Sequence, residues 1–130
     1  MLSLVPNYYH NLFFNVQLGH FDLVDETVRT GKGRFTHNMP IMNMFTPDSI
    51  SSIYRQAGLE VVALTGFPVT IYPSFQETQI DGSSKAVVAV LDNEQSFESI
   101  YKLERSLFDR KDLAARGNQI MVVGKKAGRQ

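Results

Sequence analysis

Pro6-Asn7-Tyr8-Tyr9-His10 brings a carboxamide, two phenols and an imidazole together in one short stretch. It directly follows Leu2-Ser3-Leu4-Val5, a run of strand character. In an open α/β sheet, ligands bind outside the carboxyl ends of the strands, so this position suits contact with a substrate. Asn7, Tyr8 and Tyr9 are therefore candidate substrate-binding residues, and His10 is a candidate acid–base group. The other reading of the same residues makes Asn7 a helix cap and the tyrosines core. A second candidate, His37, lies in Arg34-Phe35-Thr36-His37. An imidazole changes charge near neutral pH, which suits a general base. It equally suits a surface or loop-packing histidine.

Other chemistries lack their residues. The histidines, His10, His20 and His37, form no H-x-x-x-H pair, so no metal site is expected. There is no cysteine, which excludes thiolate catalysis, disulfides and cysteine-ligated zinc. No G-x-G-x-x-G loop follows a strand, and there is no P-loop or G-x-S-x-G elbow.

The elements that must position the candidates can be read from periodicity and punctuation. Pro6 ends the first strand, because proline has no N–H for a ladder. Asn7 caps a helix whose apolar face is expected to be Tyr9, Leu12, Phe13 and Val16, at i, i+3, i+4 and i+7. Gly19 stops it. Residues 19–45 read as a long loop with a short helical turn near Asp22 to Val28. Thr46-Pro47-Asp48 starts a helix with cap, first-turn proline and acid in order. Ile50, Ile53, Tyr54 and Ala57 form its apolar face, and Gly58 closes it. Leu59 to Leu64 is a buried strand, and Gly66 to Pro73 an irregular extended crossing. Ser83 to Leu91 reads as a helix capped by Ser83 and Ser84 and ended by Asp92-Asn93. A second helix starts at Asp92, with Gln95 as capping-box partner and Phe97, Ile100, Leu103 and Leu107 turned inward. Leu113-Ala114-Ala115 forms a short turn. Gln119 to Val123 is unbroken and apolar, hence a central strand.

The length of 130 residues suits a single domain, 1–130. Apolar residues at 43% and charged residues at 20% describe a globular chain rather than a disordered one. Thirteen basic residues balance thirteen acidic ones, so no broad nucleic-acid footprint is expected. The basic cluster Lys125, Lys126 and Arg129 reads as a solvated tail. No apolar run reaches the length of a membrane span and no signal peptide is evident, so a cytoplasmic protein is expected.

Taken in order, these segments resemble a known family. Val5-Pro6-Asn7 ends a strand, and a loop with His37 leads to Phe45-Thr46-Pro47. A helix closes on Ala57-Gly58-Leu59-Glu60-Val61-Val62, and the chain finishes through Asn118-Gln119-Ile120-Met121-Val122-Val123-Gly124. This is similar to the C-terminal half of class I S-adenosylmethionine-dependent methyltransferases of the small-molecule branch. The resemblance implies an α/β fold, a partial Rossmann-like sheet of about three strands. The last strand would be antiparallel and lie between the other two, with a helical insert at about 83–113 before it. It implies methyl transfer from S-adenosylmethionine to a small-molecule acceptor, with Asn7, Tyr8, Tyr9, His10 and His37 on the acceptor side. The family's cofactor-binding half has no counterpart here, so the chain alone is expected to bind no cofactor and to be inactive. Its first strand would then be an unpaired edge, which calls for a second copy (a homo-oligomer) or a separate N-terminal half. The alternative is a non-catalytic interaction or dimerisation module derived from the same fold, and a small-ligand protein using Phe67 to Phe75 is a third.

Overall fold

A computed structural model describes residues 1–71 and 83–127, with the side chains of 83–86 excepted. Three strands form the main sheet: β1 (Leu2–Pro6), β4 (Leu59–Phe67) and β5 (Gln119–Lys126). Their order is β1-β5-β4, and β5 runs antiparallel to both neighbours. β1 and β4 therefore point the same way, and the expected insertion of the last strand between them is what the fold contains. Pro73, Arg129 and the segment of Phe67 to Phe75 beyond residue 71 lie outside the described residues.

One sheet face is well covered. Helix α3 (Pro47–Gln56) sets Ile50 and Tyr54 against Ile120 and Val122, with Val5, Leu59, Val61 and Leu64 packed around them. The sequence signals for α3 hold: Thr46 and Ser49 form a reciprocal capping box, Pro47 opens the helix, and Gly58 takes the left-handed φ of +81° after it. Ile53 departs from the expected face and is half exposed.

Three expectations are corrected. Helix α1 (Tyr8–Gln17) buries His10, Asn11, Phe14 and Asn15, and the expected apolar stripe faces outward. Tyr9, Phe13 and Val16 are 50%, 41% and 45% exposed. The physical reason is the segment that follows. Residues 19–45 are not a long loop: the helical turn expected near Asp22 to Val28 is a full helix, α2 (Phe21–Thr30), and a two-residue ladder between β2 (Lys32–Gly33) and β3 (Met42–Asn43) follows it. These elements dock on the polar side of α1 through hydrogen bonds. Phe14 joins Phe35 and Met44 in a second core on that side.

The third correction concerns the packing of the helical insert, which lies where expected before β5. It comprises α4 (Ser83–Leu91), α5 (Glu94–Leu107) and a 3₁₀ helix (Lys111–Arg116). α5 is capped by Asn93, whose side chain accepts from Ser96 N, one residue later than expected. Its predicted inward residues Phe97 and Leu103 are about half exposed, and none of its residues is buried. The 3₁₀ helix, by contrast, sits hard against β4. A Cβ on Gly66 would lie 2.3 Å from Ala114 O, and one on Gly117 would lie 2.2 Å from Phe67 N. Glycine at both positions permits that approach.

Candidate functional site

The carboxyl ends of β1 and β4 and the start of β5 meet at one rim, and Asn7 stands at its centre. Its side chain is fully buried. Nδ2 donates to Ala115 O and Gly117 O, both at 2.7 Å, and Oδ1 accepts from Tyr9 N at 2.9 Å. Both amide hydrogens are thus spent on the 3₁₀ turn leading into β5. The backbone on either side of Asn7 is held too: Phe45 N donates to Pro6 O, and Tyr8 N donates to Phe45 O. Asn7 shapes the rim, with no donor left for a ligand.

Its neighbours differ in exposure. Tyr8 packs beside the Phe14–Phe35–Met44 core and meets Tyr9 edge-on at 5.5 Å between ring centroids. Tyr9 is half exposed. His10 is buried at 4% exposure, its ring 5.7 Å from Phe13 and 6.2 Å from Phe35. Of the four, Tyr9 offers the most surface to a ligand.

His37 belongs to a different place. Its Nε2 lies 2.7 Å from Asp22 Oδ2, and its ring stacks edge-on against His20 at 5.1 Å. His20 follows the carboxyl end of α1, and its N–H donates to Asn15 O. Asn7 caps the amino end, so the ten-residue helix, about 15 Å long, separates Asn7 from His20 and its partner His37. The hydrogen bond from His37 holds the Asp22 carboxyl below its ordinary range, against the opposing effect of desolvation. The pair is exposed, at 52% and 66% of the two side chains. Asp22 and His20 escaped the sequence reading, because only the fold of α2 brings them to His37.

A buried polar network also escaped it. Thr27 Oγ1 donates to Asn11 Oδ1 at 2.9 Å, while Asn11 Nδ2 and Asn15 Nδ2 both donate to Arg34 O. Arg34 Nη1 donates to His37 O, and Arg34 Nε faces Glu26 Oε1 at 3.4 Å. Gly33 belongs to this network by size, since a Cβ there would fall 2.2 Å from Thr27 Oγ1. The available signal was Asn11 and Asn15 at i, i+4 on one helix face.

At the other side of the rim, an apolar cleft of about 190 Å³ is lined by Phe67, Pro68, Tyr101, Glu104, Arg105 and Phe108. Glu104 closes one side by accepting from Val69 N and Thr70 N. No group of three His, Asp or Glu side chains among the described residues could hold a metal ion. No protein-family model and no curated protein matches the chain.

The nucleoside cofactor that the resemblance implies would need a glycine-lined backbone cradle. Among the described glycines, Gly19, Gly31 and Gly58 follow helices with positive φ. Gly33, Gly66, Gly117 and Gly124 are pressed against protein atoms. These described glycines serve helix ends and close packing instead. No helix among the described residues is long and apolar enough to cross a membrane.

Proposed function

We propose that this chain is the acceptor-side half of an S-adenosylmethionine-dependent methyltransferase with a Rossmann-like sheet, and that a separate polypeptide segment supplies the cofactor half. The observation that carries the reading is β5 lying antiparallel between the co-directed β1 and β4, with α3 on one face. The acceptor is a small molecule placed over the carboxyl ends of β1 and β4. Tyr9 and Tyr8 border it, and Asn7 positions the turn beneath it. His10 lies just behind this wall and His37 at the far end of α1, so neither stands as the base. The apolar cleft beside Phe67 and Phe108 lies on the same rim and suits an apolar part of the acceptor.

Photo-cross-linking with radiolabelled S-adenosylmethionine tests this. The purified chain should take no label, whereas the tagged chain isolated with its associated polypeptides from its source cells should bring label with it. An assembly without label overturns the methyltransferase reading. Label on the chain alone overturns the divided cofactor site. A second reading, a non-catalytic dimerisation module on the same fold, is favoured by the uncharged, exposed apolar surface of β1 and α1.

A further inference from the structure

We propose that two copies of this chain associate through β1, edge to edge and antiparallel, across a two-fold axis at Ser3. The backbone pattern dictates which groups are on offer. Met1 and Gly124 exchange both of their main-chain hydrogen bonds, each 2.8 Å. Bonded and non-bonded pairs alternate along an antiparallel ladder. Ser3 and Val5 therefore turn their N–H and C=O toward β5, while Leu2 and Leu4 turn theirs outward. Farther along, the outward Pro6 carbonyl is already taken by Phe45 N. The open edge among the described residues runs from Leu2 to Leu4, and an extended strand is what pairs with it.

From Leu2 to Leu4, before Pro6 ends the strand, the edge is also unguarded. Edge strands of monomers are blunted by charge, proline or bulges. Leu2 and Leu4 are 59% and 53% exposed, and Met1 to Phe21 contain no Asp, Glu, Lys or Arg. A partner of opposite charge has nothing to grip there. A second copy brings no charged side chain of its own to this edge, its Met1 ammonium being turned to Gly124 O, and it brings the same pair of leucines. With Ser3 opposite Ser3 of the second copy, Leu2 of each chain exchanges main-chain bonds with Leu4 of the other. Two three-stranded sheets then become one continuous sheet. This association does not rest on the methyl-transfer reading. A cofactor half arriving at the same strand would displace the second copy.

The absence of cysteine makes the test specific. The Ser3 hydroxyl meets Tyr54 OH at 2.7 Å on the α3 face, and Ser3→Cys exchanges that contact for a thiol at the axis, where facing Cα atoms of a non-bonded pair are about 4.5 Å apart. That distance falls within the range a disulfide spans, about 4.4–6.8 Å. Mild oxidation should convert Ser3→Cys to a covalent dimer and leave Val88→Cys monomeric. In sedimentation equilibrium the unmodified chain should be a dimer at micromolar concentration, and Leu4→Lys and Leu4→Pro should be monomers. Leu4→Pro loses only an outward N–H, so the ladder to β5 survives; if circular dichroism shows it unfolded, Leu4→Lys decides. A monomeric wild-type chain overturns the proposal. So does a dimer that persists in the Leu4 variants, or a Ser3→Cys chain that does not cross-link.

Discussion

Asn7 does three jobs with one carboxamide: it caps α1 and holds two carbonyls of the turn before β5. Asn7→Ala would leave those buried acceptors without donors and remove the cap, a loss of about 2–4 kcal/mol by urea unfolding. Asn7→Asp should cost at least as much, because a carboxylate would keep the cap yet face two carbonyl oxygens. Asn7 stood out by its place after a strand, and its cap role was legible there. Its partners were not, since they lie over a hundred residues away in the chain. Asp22 carries the pH prediction. Its folded carboxyl titrates lower than the unfolded one, chiefly through the hydrogen bond from His37. The stabilisation is therefore present above the unfolded value, about 4, and disappears as pH falls through the folded one. Asp22→Asn should flatten the acid limb of the melting temperature against pH, a small change because the pair is exposed.

Among the elements, α1 teaches most. Its sequence carries apolar residues on two stripes, and periodicity alone favours the wrong one. Phe13 and Phe14 are adjacent, yet one is 41% exposed and the other fully buried. Phe14→Ala should cost about 3–5 kcal/mol, whereas Phe13→Gln should stay within about 1 kcal/mol, both read from chemical denaturation. What decides the face is the hydrogen bonding of Asn11 and Asn15 to the segment carrying Arg34, a tertiary effect outside any local window. α3 was legible because its cap, proline, apolar residues and terminal glycine all agree. α2 was not. Its inward residues are Leu23 and Thr27, and a threonine gives no hydrophobic signal.

At the scale of the whole molecule, the unbroken apolar run of β5 correctly placed it at the sheet's centre. The insert misled, since amphipathic spacing in α5 says which side is apolar and not whether anything covers it. The described hydrogen bonds from the insert to the end of β4 include those made by Glu104, which accepts from Val69 N and Thr70 N and from the Thr70 hydroxyl. Glu104→Ala should speed amide exchange at Val69 and Thr70 by about tenfold or more in hydrogen-exchange NMR, with α3 unaffected. The two groups of candidate site residues, Tyr8 to His10 and His37, could not be separated from sequence because only α1's length and the turn into α2 set them apart.

The central position of β5 has a consequence for biosynthesis. β1 is the first of the three strands to leave the ribosome and β5 the last, and Met1 bonds to a residue 123 positions away. Until β5 emerges, neither β1 nor β4 has its main-sheet partner among the described residues. Their apolar side chains wait exposed on a growing chain, held together by no local hairpin. Such long-range closure is slow and leaves nascent chains open to aggregation. Survival through translation thus depends on how quickly the final strand is delivered, and a ribosome stalled before Gln119 would release a polypeptide with its sheet unassembled.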